Sequence, residues 1–408
     1  MRKLLAWLLL LSGAATASAA HADIVSDWNA TAVTTVQALG PSTPLQSRAL
    51  AIVHLAMFDA LNARDRRYAS FSPPLPAQPE ASPEAAAATA AHEVLVQLVP
   101  LQKPSVDAAL TASLKEIADG PAKQAGIELG RQAARQLLAM RREDGAERTV
   151  AYVPGTDPGA WKPTPPAYQP ATLPQWPQVR PFVVPTLDKF SVPGPHPVDG
   201  AEYARDIEEV RVKGGARSVS RTSEQAATAI FWAIPTAIPW NAAARAGLGA
   251  RKDTGLVERA RALALLNAAC ADSQIAVWTL KYRYNILRPV DAIRDPRSLK
   301  NSSINADATW ESFIVTPAHP DYVSGHSGYS GAAEAVLRTL LGDESEVSVT
   351  YPLNGITRHW RRFSDIAREV EDARAWGGIH TRTADERATE LGRQIGDFVA
   401  ASALPTVR

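Results

Sequence analysis

Apolar residues recur at helical spacing over most of this chain. Over 24–39 and 45–61 they fall three and four positions apart, the second run reading Leu45, Ala49, Ile52, Leu55, Ala56 and Phe58. Ser82 before Pro83 is an N-cap with proline at the first helical position, opening the alanine-rich run that reaches Val99. Pro121 opens another helix, with Ile127, Gly130, Ala134, Leu137 and Leu138 on one face. Thr222-Ser223-Glu224-Gln225 fits a capping box, so a helix should run from there to about Ile234, ahead of Pro235. The stretch 256–280 is apolar nearly all round, as in a helix buried on every side. Ala332, Ala333, Val336, Leu337 and Leu340 predict another helix over 327–341. Strand signals are scarce, and the expected fold class is all-α.

Between 151 and 200 the character changes. This segment holds 13 of the chain's 31 prolines, which forbids helix and sheet there. It also carries Trp161, Tyr168, Trp176, Phe182 and Phe190, and a disordered linker is poor in large aromatics because it buries nothing. The expectation is an ordered, extended arm lying across one helical domain that spans 23–408.

Composition narrows the classes. With 43 Lys+Arg against 42 Asp+Glu in 408 residues, the chain has no bulk electrostatic reason to seek nucleic acid or anionic lipid. The single cysteine, Cys270, excludes an intramolecular disulfide framework and a thiolate zinc site. At the start, Arg2 and Lys3 precede an apolar run from Leu4 to Leu11, followed by Ala17-Ser18-Ala19 and Ala20-His21-Ala22 as A-x-A cleavage patterns. Residues 1–22 therefore read as a signal peptide, too short in its apolar part to span a bilayer, with a secreted or periplasmic mature protein. No later stretch is expected to cross a membrane.

Candidate chemistry concentrates in the last third. Lys281 and Arg288 lie at the exit of the buried helix. The segment Pro317-Ala318-His319-Pro320-Asp321-Tyr322-Val323-Ser324-Gly325-His326-Ser327 leads into the next helix, and Arg374 precedes His380 by six positions. Singly each has a plain structural explanation: solvated basic helix ends, a helix start, an Arg374–Glu371 surface pair. Together they are an inventory for a tetrahedral oxyanion, whose oxygens need forked guanidinium donors, an ammonium, a hydroxyl and free backbone N–H groups. Ser324-Gly325 would stand at a helix N-terminus, where exposed amides and the helix dipole favour anions. Two histidines, His326 and His380, suit in-line chemistry, one as ligand or nucleophile and one as acid or base.

The three-part spacing Lys281-x6-Arg288-Pro289, Ser324-Gly325-His326 and Arg374-x5-His380 resembles the signature of the vanadium-dependent haloperoxidase and type 2 phosphatidic acid phosphatase superfamily. Asp27-Trp28-Asn29, the stretch from Ala49 to Asn62 and the residues from Gly377 to Asp385 look like its secreted bacterial haloperoxidase-like branch. The resemblance implies an all-helical fold with four-helix-bundle cores. It also implies vanadate as cofactor, with phosphate a competing isostere.

By motif position, His380 would be the one protein ligand to vanadium, or the nucleophile of a phosphatase. Lys281, Arg288, Ser324, the Gly325 amide and Arg374 would hold the oxyanion oxygens. His326 would be the acid-base residue, and Lys281 would also polarise bound peroxide. His319 occupies the position where bromoperoxidases carry a second histidine and chloroperoxidases a phenylalanine; a solvent-facing loop histidine is the alternative. Asp385 is a candidate to orient His380, or else the final helix is capped from Thr383. His54 and His92 are expected to be structural.

The departures are Val323 where the family usually has proline, Ala373 where it often has serine, and Ile286-Leu287 where aromatics are common. The implied reaction is oxidation of bromide or iodide by hydrogen peroxide, with a small organic acceptor for the product. The alternatives are a soluble acid phosphatase working through a phosphohistidine, and a secreted oxyanion-binding protein without turnover.

Overall fold

The computed structural model describes residues 23–351 and 355–407. The signal-peptide reading of 1–22 lies outside the described residues. The helices, in order, are α1 Ile24–Val36, α2 Thr43–Asp65, α3 Pro83–Leu98, α4 Lys103–Lys115, α5 Pro121–Arg141, α6 Ala201–Lys213 and α7 Ser223–Phe231. They continue as α8 Ala237–Gly249, α9 Leu256–Tyr284, α10 Pro289–Arg294, α11 Gly325–Leu341, α12 Phe363–Trp376 and α13 Arg382–Ser402. The fold is all-α. One antiparallel hairpin interrupts it, β1 Glu344–Thr350 on β2 Thr357–Arg362. In β1 only Val347 and Val349 turn inward, a period of two in a seven-residue strand.

The sequence signals act locally as expected. Asp23 caps α1 by accepting from the N–H groups of Val25 and Ser26, and Ser82 caps α3 through the N–H of Ala85. The Thr222–Gln225 capping box is formed in both directions, and α7 ends at Phe231, just before the turn that Pro235 requires. α9 is long and apolar enough to cross a membrane by composition, but most of it is buried inside the protein. It is the common wall of two helix groups, packing on α2 on one side and on α11 and α13 on the other.

α11 and α13 approach backbone to backbone. A Cβ on Gly331 would meet the carbonyl of Thr389 at 2.2 Å, and one on Gly392 the carbonyl of Gly328 at 2.2 Å. Glycine is the residue that allows this contact, and it sets where the start of each helix lies against the other.

The 151–200 segment runs extended over the helices, with only two short 3-10 turns. Trp161 and Trp176 are fully buried. Asp272 of α9 accepts three consecutive arm N–H groups, from Phe182 at 2.6 Å, Val183 at 2.8 Å and Val184 at 2.9 Å. Upstream, the Thr172 carbonyl accepts from Trp278 Nε1 at 3.2 Å and Tyr282 Oη at 2.5 Å, and its N–H donates to the carbonyl of Ala318. The arm is thus fastened beside the residue that precedes His319.

Candidate oxyanion site

Lys281, Arg288, Ser324, Arg374 and His380 come together from four parts of the chain, and each is buried, with exposures from 0% to 3%. None of the basic residues is a solvated helix end. Lys281 leaves the last turn of α9 and gives two N–H bonds to the carbonyls of Pro320 (2.7 Å) and Asp321 (3.1 Å). Arg288, the residue before Pro289 opens α10, donates through Nε to the His319 carbonyl and through NH1 to the Ile379 carbonyl, both at 2.6 Å. Arg374, in the last turn of α12, donates to the carbonyl of Trp232 at 2.5 Å rather than pairing with Glu371. Its Nε is buried without a partner.

The helix after Ser324 begins at Gly325, two residues earlier than the apolar spacing indicates. Ser324 caps it by backbone conformation alone, so no side chain takes the first-turn N–H groups, which have no acceptor within the helix. A Cβ on Gly325 would lie 3.3 Å from the Trp278 ring. Glycine keeps that amide open in a space the indole otherwise closes.

Three cations face two buried carboxylates, Asp321 and Asp385. Burial lowers the Lys281 ammonium well below its usual range, helped by the neighbouring Arg288. The guanidinium groups of Arg288 and Arg374 are brought down to about 10 by the same desolvation. His380, His326 and His319 are all held well below the ordinary imidazole value, first by burial and then by the nearby cations. The site is therefore neutral in its imidazoles and in excess of positive charge, with an unpartnered guanidinium nitrogen and an uncapped helix start. That donor set fits a tetrahedral oxyanion, and the neutral imidazole of His380 fits a ligand to its central atom.

His326, only half-buried, lies one residue into α11, its Nε2 3.0 Å from the carbonyl of Ile234. A carbonyl only accepts, so the proton is on Nε2 and Nδ1 is the basic nitrogen. His319 is 8% exposed rather than solvent-facing. Its ring centroid is 5.0 Å from that of Trp278 and 6.4 Å from that of His380.

Asp385 does not orient His380. It accepts from Ser327 Oγ at 2.8 Å and stands under Ser324, its other oxygen buried and unpartnered. The carboxylate against His380 is Asp321, whose Oδ1 is 2.7 Å from Nδ1. α13 is capped by Thr381, not Thr383. Asp321, Thr381 and the Trp232–Ile234 turn all escape the sequence reading. Asp321 alone left a signal, as an acidic residue inside the His319–Ser324 segment.

His54 and His92 each have partners of their own outside this cluster. His54 is set between the Leu50 carbonyl and Asn29, and His92 is 2.8 Å from Asp107.

An all-helical frame that gathers these buried cations and imidazoles can be compared with known proteins. Residues 261–407 match the family described as the VCPO second helical-bundle domain. The vanadium chloroperoxidase of Curvularia inaequalis is 25% identical over 209 residues, covering 42% of this chain and 34% of that protein's length. The crystal structure of a bacterial vanadium-dependent iodoperoxidase superposes with a TM-score of 0.81 at 25% identity, covering 94% of this chain and 97% of that one. An apo-type bacterial vanadium-dependent chloroperoxidase shares the fold, with a TM-score of 0.75 at 19% identity over 88% of this chain and 93% of that one. Residues 261–407 therefore resemble the second helical-bundle domain of that family, and the described chain shares the fold of bacterial vanadium-dependent haloperoxidases.

Proposed function

We propose that the protein is a vanadate-dependent haloperoxidase that oxidises bromide or iodide with hydrogen peroxide. The observation that carries this is the convergence of Lys281, Arg288, Arg374 and the uncapped α11 start on a neutral His380. Similarity to a bacterial iodoperoxidase over almost the whole chain supports the choice of halide.

In this reading His380 would hold vanadium through Nε2, and Lys281, Arg288, Arg374, Ser324 and the Gly325 amide would hold the oxygens of vanadate. When bound, vanadate supplies a Lewis-acidic centre that activates peroxide toward halide. The residues do the rest. Arg374 brings its spare Nε–H to the anion, and Lys281 directs its remaining N–H into the same space. His326 is placed to take a proton at Nδ1 and return it. Burial excludes bulk water, which strengthens each of these contacts.

The amino-terminal pattern supports export with removal of 1–22, which N-terminal sequencing of protein from the extracytoplasmic fraction checks. Function is tested on anion-free protein given orthovanadate or a phosphate ester in parallel. Halide oxidation that depends on orthovanadate and is inhibited by phosphate is expected. Phosphate release with no halide oxidation at any pH would assign the pocket to a phosphatase instead.

A further inference from the structure

Asp321 is bound to its surroundings by every polar group it has. It is 1% exposed. Its N–H donates to the Ile286 carbonyl at 2.9 Å, and its own carbonyl accepts from Lys281 Nζ at 3.1 Å. Its side chain divides between two neighbours, Oδ1 to His380 Nδ1 at 2.7 Å and Oδ2 accepting from Thr381 Oγ1 at 2.8 Å. Arg288 NH1 stands 3.9 Å from Oδ1.

A neutral imidazole carries one ring proton, and its neighbours decide where. A carboxylate oxygen accepts, so Asp321 calls for the proton on Nδ1. Arg288 NH1 lies 3.2 Å from Nε2 and 3.4 Å from Nδ1 of the same ring, against both nitrogens, so the choice between them falls to Asp321. At 2.7 Å the Asp321 carboxylate is the shorter contact and the one that fixes the ring proton. We propose that Asp321 is the positioning residue of His380, holding the proton on Nδ1 so that Nε2 keeps the lone pair a metal centre needs, with Thr381 locking the carboxylate in place. The inference rests on the oxyanion reading of the site and deepens it.

The variant D321N separates this role from plain electrostatics. The hydroxyl of Thr381 and its backbone N–H both donate to the side chain of residue 321. The amide oxygen therefore goes to Thr381, and the amide nitrogen is left facing His380 Nδ1. A donor there transfers the ring proton to Nε2 and removes the lone pair. At the same time D321N deletes a negative charge next to Arg288 and Lys281, which by itself tightens the hold on any anion. Orientation and charge thus push orthovanadate affinity in opposite directions. Inorganic phosphate, held by charge and hydrogen bonds only, feels just the second.

The experiment uses full-length mature protein, anion-free, as wild type, D321N and T381V. The tautomer of His380 is read by 15N NMR of labelled imidazoles, and the affinities for orthovanadate and for inorganic phosphate by calorimetry at pH 8. Wild type should show Nδ1–H and bind both anions. D321N should show Nε2–H, bind orthovanadate roughly 10–100-fold more weakly, and bind phosphate as well as wild type or better. T381V keeps the charge and frees the carboxylate, so it should give a mixed tautomer and an intermediate loss for orthovanadate alone. Retention of Nδ1–H in D321N, or equal weakening of both anions, overturns the proposal. Should D321N not fold, an unchanged tautomer in T381V overturns it. Wild type that binds neither anion refutes the oxyanion reading instead, and the NMR still judges Asp321.

Discussion

Arg288 donates through NH2 to His319 Nδ1 at 2.9 Å while its Nε holds the carbonyl of the same residue. One guanidinium therefore fixes both the backbone and the ring of His319, whose Nδ1 also lies 3.3 Å from the Pro320 carbonyl. Desolvation, then Lys281 and Arg288, keep this ring from charging until well below the ordinary imidazole range.

Replacing this residue by phenylalanine should act through that contact. H319F strands one N–H of a buried guanidinium, a loss of about 1–3 kcal/mol in stability when no water replaces the acceptor. Wild type should oxidise bromide and iodide and be poor with chloride, and any activity limb due to His319 protonation must lie on the acid side. Steady-state rates with three halides across pH test this. Brisk chloride oxidation by wild type, or an acid limb that survives in H319F, contradicts it.

His380 and His326 should separate by what they lose. H380A removes the only protein atom expected to bond vanadium and should all but abolish orthovanadate binding. H326A should leave the anion bound and cut turnover by about 10²–10⁴-fold, the usual contribution of a positioned acid-base group. Equilibrium dialysis beside turnover measurements distinguishes them; equal orthovanadate affinity in wild type and H380A rules out the ligand assignment.

Arg374 spends one N–H on the Trp232 carbonyl and has Nε to spare. Lysine cannot reproduce a fork that reaches in two directions. R374K should weaken orthovanadate and phosphate alike by roughly 10–100-fold, the worth of a hydrogen bond from a charged group. Calorimetry with both anions is the check, and a selective effect on one of them counts against a shared site.

Stability should depend on pH through a histidine outside the site. His54 donates from Nδ1 to the Leu50 carbonyl at 2.7 Å and accepts from Asn29 at Nε2, so a second proton would oppose the Asn29 amide. Burial lowers its pKa to about 4, against an ordinary 6.5. Between those values the unfolded chain binds more protons than the native one, so stability is full above pH 6.5 and is lost as pH falls through the window. The loss should approach about 3 kcal/mol by pH 4. Urea denaturation at pH 7, 5.5 and 4.5 measures it, and H54Q should flatten the trend.

Much of this fold is legible because its helices carry local signals. The capping box at Thr222, the proline starts at Pro83 and Pro121 and the all-apolar run of α9 each depend on neighbours in sequence. The gathering of Lys281, Arg288, Ser324, Arg374 and His380 is legible for a different reason: three spaced motifs together hold an uncommon set of residue types, the set a tetrahedral oxyanion would demand. The contacts behind it are not. Asp321 reaches His380 across 59 positions, and nothing local distinguishes it from Asp385, which has the same charge and stands closer in sequence. The hairpin was hidden because in β1 only Val347 and Val349 are buried among exposed polar residues. The Trp232 and Ile234 carbonyls take part through the backbone, which no side-chain pattern encodes.

The close contact of α11 with α13 has a consequence for how the protein comes into being. Ser324 depends on the Ala384 carbonyl for its backbone N–H, and Gly331 depends on the carbonyl of Thr389 for its seat. During synthesis, the helices around α2 and most of α9 leave the ribosome long before those residues exist. The Ser324 turn can be seated only after α13 has emerged, so a nascent chain that ends before α13 already holds α2 and α9 but not the arrangement around Ser324. Removal of α13 should therefore disorder the Ser324 turn before it disturbs the packing of α2 on α9.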